Sequence, residues 1–363
     1  MSIDTIDDLR SHLLLATRVE LSTIPPYLYA MYSIEDQDSE AARLIASVVV
    51  EEMLHVALIT NLLLAVGGEP FFGYDSIPSY PGFLAHHQPD LLLELRECTP
   101  ELIMGTFLEI EKPRASGAIP EDDNFETLGQ FYAALEAALD DLSEVSDIFV
   151  QHQPGRQLSE HSWYAPVQFD AEDSGGLLLI HDRASADEAL EIIIHQGEGV
   201  SDERWADPSH QELTHFRKFQ QLADGTTAIG RTWPVLSNPR TADLPQDLQA
   251  VSDLFNALYG LVFVTMADLF SGSGDQEASI GRLYGLMSRC LAPTARYLVR
   301  QPVGETVTAG PTFEVYRFEG DPYVETATLA ASVTRDHPEL EEVASQVSAF
   351  AGASAPSPKP LRT

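Results

Sequence analysis

The sequence predicts an all-α protein: a four-helix bundle with additional helices and long loop insertions. Three observations predict it. Apolar residues recur at helical spacing through several long segments. The most apolar of these, Val48 to Ile59, carries Glu52 and His55, which are three apart and so project from one helix face. Two other helical segments bring Glu20 and Glu111 to the edge of an apolar face.

Composition limits the alternatives. With 363 residues the chain has room for a large core, as one big domain or two. Its hydrophobic fraction, 44%, is ordinary. Its charge is not: 21 Lys and Arg against 56 Asp and Glu leave a net −35. Such a surface repels nucleic acid and anionic membranes, and gives solubility without indicating a function. Cys98 and Cys290 form no Cys-x-x-Cys, so a reducing cytoplasm is expected rather than a disulfide framework. Met1-Ser2-Ile3-Asp4-Thr5 carries no basic or apolar leader, which fits the same compartment. The apolar stretch Ala257–Phe270 is too short to span a bilayer and contains Asp268.

The first helix is expected from about Thr5 to about Ile34, capped by Thr5 or Asp7. Leu13, Leu14, Thr17, Leu21, Ile24 and Leu28 form its apolar face, and Glu20 sits beside it. Pro25-Pro26 should interrupt and kink it, leaving the carbonyls of Leu21 and Ser22 without helical donors. Tyr27, seven residues beyond Glu20, shares its face, so its hydroxyl is expected beside the same site or in simple packing. The second helix, about Ser39 to Val66, stops at Gly67-Gly68. The third starts at Thr99-Pro100-Glu101 and stops at Lys112-Pro113. Near its end Glu111 looks back on Met104, Phe107 and Leu108, and is a better inward candidate than Glu109.

A loop at 113–124 leads to a helix over about Phe125–Phe149, whose Leu128, Phe131, Tyr132, Leu135, Leu139 and Leu142 read as core packing. Gln151–Gly176 is irregular, and Leu177–Ile180 is a candidate strand. The fourth bundle helix begins near Ser185, breaks at Gly197-Glu198-Gly199 and resumes around His210 to Leu222. Glu191, Ile194, His195 and Glu198 share a face there, and phase alone does not choose between Glu191 with His195 and Glu198 with His215. Two further helices are expected, about Asp247–Phe270 and Ser279–Leu291.

An unpaired carboxylate among Val48, Val56, Ile59 and Leu62 would cost several kcal/mol, and a metal is the simplest compensation. Glu-x-x-His is the half-site of two-metal carboxylate bundles, each half completed by a Glu from another helix. No Gly-rich phosphate loop follows a strand, and no Gly-x-Ser-x-Gly elbow occurs.

Several segments carry a more specific likeness. They are Glu20-Leu21-Ser22-Thr23-Ile24-Pro25-Pro26-Tyr27-Leu28-Tyr29-Ala30, Glu51-Glu52-Met53-Leu54-His55 and Phe107-Leu108-Glu109-Ile110-Glu111-Lys112-Pro113. To these are added Gln196-Gly197-Glu198-Gly199, His215-Phe216-Arg217-Lys218-Phe219, Asn238-Pro239-Arg240-Thr241 and Ala309-Gly310-Pro311-Thr312-Phe313-Glu314. Together, to about residue 315, they resemble the ferritin-like domain of the iminophenylpyruvate dimer synthases, non-haem iron proteins of the ferritin-like superfamily. The expected organisation is a ferritin-like bundle over 1–230, with an insertion at about 113–184, a helical extension at 231–350, and a tail at 351–363 whose Ala/Ser/Pro-rich composition predicts disorder. The resemblance implies two non-haem iron ions held by Glu20, Glu52, His55, Glu111, Glu198 and His215, with Tyr27 as the candidate catalytic residue. Mixed oxygen and nitrogen ligation suits iron or manganese over a structural zinc. The chain departs from the resembled enzymes in being short and in having His195 just before the Gln-Gly-Glu-Gly motif.

The expected activity is a di-iron oxidase or oxygenase acting on a small molecule, with an amino-acid-derived imine of secondary metabolism as the implied substrate class. Expected partners are the substrate and dioxygen, a homodimer being the candidate assembly. A ferroxidase or iron-handling protein is the alternative, and a scaffold that has lost its metal is a third.

Overall fold

Thr5 starts the first helix: its hydroxyl accepts from the Asp8 amide while the Asp8 carboxylate accepts from the Thr5 amide at 3.0 Å. In the computed structural model, which describes residues 3–167, 175–197 and 213–352, that helix is α1, Ile6–Ser33. It runs through Pro25 and Pro26 without interruption, contrary to the expected break. The Ser22 carbonyl that Pro26 cannot serve accepts instead from the Tyr80 hydroxyl at 2.7 Å. Ser39 caps α2, Glu40–Ala65. It ends in a left-handed turn at Gly67, where φ is +73° and the Gly68 amide returns to the Leu63 carbonyl at 2.8 Å.

The third helix is composite. α3 runs Pro100–Leu102, a π turn Ile103–Phe107, and Leu108–Ile110, with Thr99 as N-cap and Glu111 as C-cap. Thr127 caps α4, Leu128–Val145, inside the segment expected as an insertion. α5, Arg183–Gly197, and α6, His215–Ala223, come next. α6 starts at His215, because Thr214 is extended and its hydroxyl accepts from the Arg217 amide at 3.3 Å, and the expected resumption around His210 lies outside the described residues. α1 packs along α2, α5 packs on α2 and α4, and α6 closes against α2 and the π turn.

Leu177–Ile180 forms no strand. Side chains clamp it: the Gln157 carboxamide pairs with both the amide and the carbonyl of Ile180, and Asn61 donates to the Leu178 carbonyl. The sheet among the described residues is one antiparallel pair, Gly82–Phe83 with Leu92–Leu93.

α7, Gln246–Leu269, begins well before Ala257 and so is long enough to cross a bilayer, as is α2. In each, 83% of the most apolar window is buried inside the fold, where both serve as core helices. α8, Gln276–Gly285, passes through a π turn, Leu286–Leu291, into α9, Ala292–Leu298. α10, Pro322–Val333, and α11, Glu341–Gly352, were not among the expected elements. Ala351 and Gly352, expected in the disordered tail, complete α11, and 353–363 lie outside the described residues.

Two of the motif segments prove to be structural ties. The Thr241 amide donates to Glu314 at 2.9 Å, and the Thr312 hydroxyl donates to Asn256 of α7 at 2.9 Å. Gly310 leaves room for Tyr29 of α1, whose hydroxyl would lie 2.1 Å from a Cβ there.

Replacing Tyr80 by Phe leaves the Ser22 carbonyl without its donor. A loss of about 1 kcal/mol in urea unfolding is expected, and unchanged stability would show that Tyr80 does not sustain α1 through the prolines.

Candidate metal centre

Three carboxylates and two imidazoles meet inside the bundle. Glu20 comes from α1, Glu52 and His55 from α2, Glu111 from the end of α3 and His215 from the first position of α6. Each is at most 4% exposed. Glu20, Glu52 and His55 form one triad of potential ligand atoms within 4.8 Å of one another, and Glu52, Glu111 and His215 form a second. Glu52 is shared by both.

The carboxylates are held in a common way. Each gives one oxygen to a hydroxyl and turns the other towards an imidazole. Tyr132 of α4 donates to Glu20 Oε1, and His55 Nδ1 lies 3.3 Å from Oε2. Thr23 donates to Glu52 Oε2 at 2.9 Å, and His215 Nδ1 lies 3.0 Å from Oε1. Tyr27 donates to Glu111 Oε1 at 2.6 Å, and His215 Nδ1 lies 3.4 Å from Oε2.

Both imidazoles are oriented from behind. His55 Nε2 meets the Gln196 amide oxygen at 2.9 Å, and His215 Nε2 meets Glu51 Oε2 at 2.9 Å. With Nε2 occupied, each ring presents Nδ1 to the carboxylates. The rings stack with centroids 5.4 Å apart. Glu51 is clamped by Lys218, whose Nζ lies 2.6 and 2.7 Å from its two oxygens.

The electrostatics favour a cation. Burial, then the charges of Glu20 and Glu111, push the Glu52 carboxyl well above its usual range. Burial also pushes Glu20 up, but the hydrogen bond and charge of His55 outweigh it and leave Glu20 lowered. Burial opposes charge on His215, yet Glu111, Glu51 and Glu52 together raise it well above the usual imidazole range. Burial acts upward on Glu51 as well, and Lys218 with His215 reverses this to about 2. His215 Nδ1 is buried without a hydrogen bond, although two carboxylate oxygens face it. A cation between them would satisfy that nitrogen and both oxygens, so the donor set fits a carboxylate-rich two-metal centre.

Of the expected ligands, the structure gathers Glu20, Glu52, His55, Glu111 and His215. Glu198 lies outside the described residues. Glu109 is exposed, as is Glu191, and His195 is half-buried; none of these joins a described triad. Tyr27 reaches Glu111 and packs between Phe107 and Phe219. Tyr132, read from the sequence as core packing, instead bonds Glu20 and lines the cleft over the cluster. Glu51, Lys218 and Gln196 were also missed, although Lys218 lies one helical turn from His215.

A helical bundle holding two Glu- and His-containing triads around one shared carboxylate has the donor set of the carboxylate-rich helical bundles that can hold metal ions. A ferritin-like family model matches residues 13–224, and the chain belongs to the ferritin-like family. It is 27% identical to the 2-imino-3-(indol-3-yl)propanoate dimerase of Chromobacterium violaceum, over 85% of this chain and 34% of that protein. It is 26% identical to the dichlorochromopyrrolate synthase of Lentzea aerocolonigenes, over 86% of this chain and 36% of that protein. The chain thus spans about a third of the length of these relatives. The crystal structure of a ferritin-like protein from Caulobacter vibrioides shares the fold, with TM-score 0.59 and 23% identity, covering 80% of this chain and 96% of that one.

Because Glu52 serves both triads, Glu52→Ala should abolish binding of both metals, whereas Glu20→Ala should remove one. Elemental analysis of iron-grown protein tests this, and a Glu52→Ala protein retaining the parent stoichiometry would exclude the shared role. Metal uptake should also expel protons, since burial and the neighbouring carboxylates favour the protonated form of Glu52, and Glu111, Glu51 and Glu52 favour that of His215, in the metal-free cluster. Affinity should therefore rise with pH as those protons become easier to displace. Release of about one proton or more per chain is expected in weakly buffered solution with a pH indicator, and none would contradict the electrostatic picture.

Proposed function

We propose that the chain is a non-haem di-iron oxidase or oxygenase acting on a small molecule, and that an amino-acid-derived imine of secondary metabolism is its substrate class. The observation that carries this reading is the pair of triads sharing Glu52 beneath a cleft. The imine comes from the two biosynthetic relatives, which are a 2-imino-3-(indol-3-yl)propanoate dimerase and a dichlorochromopyrrolate synthase. Iron bound here would supply the redox chemistry, coupling reduction of dioxygen to oxidation of the organic substrate.

The chain's own groups bind, orient and exclude water. Glu20, Glu52, His55, Glu111 and His215 would hold the ions, with Glu198 expected to complete the set. Tyr132, Thr23 and Tyr27 fix one oxygen of each carboxylate. Tyr27 keeps its proton, because burial and the charges of Glu111 and Glu52 push its phenol well above the usual range. It therefore acts as a donor that positions Glu111. Ile110, Leu128, Ile193 and Ile194 wall the cleft with apolar surface, which strengthens charge interactions at its floor. Two buried, unpaired cysteines suit action in the cytoplasm.

One observation favours the iron-handling alternative. Free space beside the cluster is about 20 Å³, enough for water or dioxygen but not for an indole. A larger apolar cavity of about 130 Å³ shares no lining residue with it.

Anaerobic loading with Fe(II), followed by oxygen with and without 2-imino acids, separates the two. An enzyme keeps its iron over many cycles, and its oxygen uptake rises with substrate as oxidised products appear by mass spectrometry. Mineral growth indifferent to any organic compound would decide for iron handling.

A further inference from the structure

The two imidazoles have partners of different charge. His215 is backed by Glu51, and Glu51 is clamped by Lys218 through contacts of 2.6 and 2.7 Å. His55 is backed by the neutral amide oxygen of Gln196. The acceptor behind a ligating imidazole tunes the donor strength of its other nitrogen. A carboxylate draws the Nε2 proton more strongly than an amide does, so His215 offers the richer Nδ1. Glu51, His215 and Lys218 are all at most 1% exposed, so solvent screens their interaction little. Lys218 makes the arrangement tenable, because a lone carboxylate at that depth would be too costly to bury.

Access differs in the same sense. The cleft is lined by Glu20, Glu52, His55 and Glu111, and His215 is not among its described lining residues. One triad therefore opens on the cleft through all three of its members. The other has its imidazole behind the cluster, against the buried ion pair.

We propose that the two metal positions are unequal: Glu52, Glu111 and His215, buttressed by Glu51–Lys218, form a tight inner position, and Glu20, Glu52 and His55, backed by Gln196, form a weaker cleft-side position where exchangeable ligands bind. The proposal rests on the reading of the cluster as a two-metal centre. Glu51, Lys218 and Gln196 are positioning residues in it. The inner position fills first, and the cleft-side position is the one that empties and refills.

The test is titration of the metal-stripped full chain with Co(II), following ligand-field absorption. Two steps about tenfold or more apart in affinity are expected. Combining Glu51→Gln with Lys218→Met removes both charges together, so neither is stranded in the interior. It also gives His215 the kind of neutral partner that His55 has. The tight step should weaken about 10- to 100-fold while the weak step stays, so that the two merge. Gln196→Leu should weaken only the weak step. Gln196→Glu leaves the ion pair intact and sets its carboxylate against His55 Nε2, with the imidazole and the bound metal as its compensating charge, so it should tighten the weak step, and this arm survives if the double variant does not fold. Melting temperatures of the metal-free proteins report any loss of fold. Two equal steps in the parent, or a weak step that Gln196→Glu leaves unmoved, would overturn the proposal while keeping the centre. A parent that binds no cobalt would overturn the two-metal reading itself.

Discussion

Four carboxylates are buried at the centre of this bundle, and their mutual repulsion is the constraint on which the site depends. Glu20, Glu51, Glu52 and Glu111 share an interior with Lys218 and two imidazoles. Charges at that depth are tolerated only when paired and hydrogen-bonded. Glu51 meets the requirement inside the protein through Lys218 and His215. The other three share the two imidazoles, His55 beside Glu20 and His215 facing Glu52 and Glu111. Hydroxyls from Tyr132, Thr23 and Tyr27 satisfy one oxygen of each and bring no positive charge. The remaining deficit falls on Glu52, which both triads share, and burial with the charges of Glu20 and Glu111 pushes its carboxyl up.

The elements divide the work by their rigidity. Glu20, Glu52 and His55 sit in the middle of α1 and α2, with helix on both sides. They form a fixed floor. Two others come from helix ends: Glu111 caps α3 after a π turn, and His215 opens α6. Helix ends leave orphan backbone groups and are easier to reorient than helix middles. π turns occur often at functional sites, where the extra residue re-aims the next turn of helix. A ligand set built on both kinds of position can hold one face of the centre while adjusting the other.

Much of this was legible in sequence. The bundle showed itself in helical periodicity, and Glu20, Glu52 and Glu111 in the mismatch between a carboxylate and its apolar neighbours. His55 emerged from its spacing to Glu52. His215 did not emerge from phase, which left it level with His195; family resemblance separated them. The groups that stayed hidden are those whose role depends on a different helix arriving. Glu51 adjoins Glu52 but turns to meet Lys218 of α6. Gln196 carries no charge to mark it, and Tyr132 lies in a stripe of leucines and looks like packing. The prolines of α1 misled for the same reason. Pro26 does remove a helical donor to Ser22, but Tyr80, far along the chain, replaces it. Local rules identify the group left unsatisfied, and only the tertiary fold identifies its partner.

The cleft above the cluster has the same asymmetry between floor and rim, and this bears on substrate size. Its floor is the fixed part of α1 and α2, whereas its walls include Leu128 and Gly129 in the first turn of α4, beside Ile193, Ile194 and Gly197 of α5. First and last turns carry fewer intrahelical hydrogen bonds than helix middles, so displacing them disrupts less of the fold. Space for anything larger than dioxygen must therefore come from the rim. The large apolar cavity beside α7 cannot supply it, because Leu21, Ile24, Val49 and Met53 line that cavity from a neighbouring face of the same two helices. Opening it towards the carboxylate cluster would mean separating α1 from α2, and their packing holds Glu20 against Glu52 and His55. Relatives sharing this bundle can thus differ in substrate through their helix ends while the carboxylate floor stays the same.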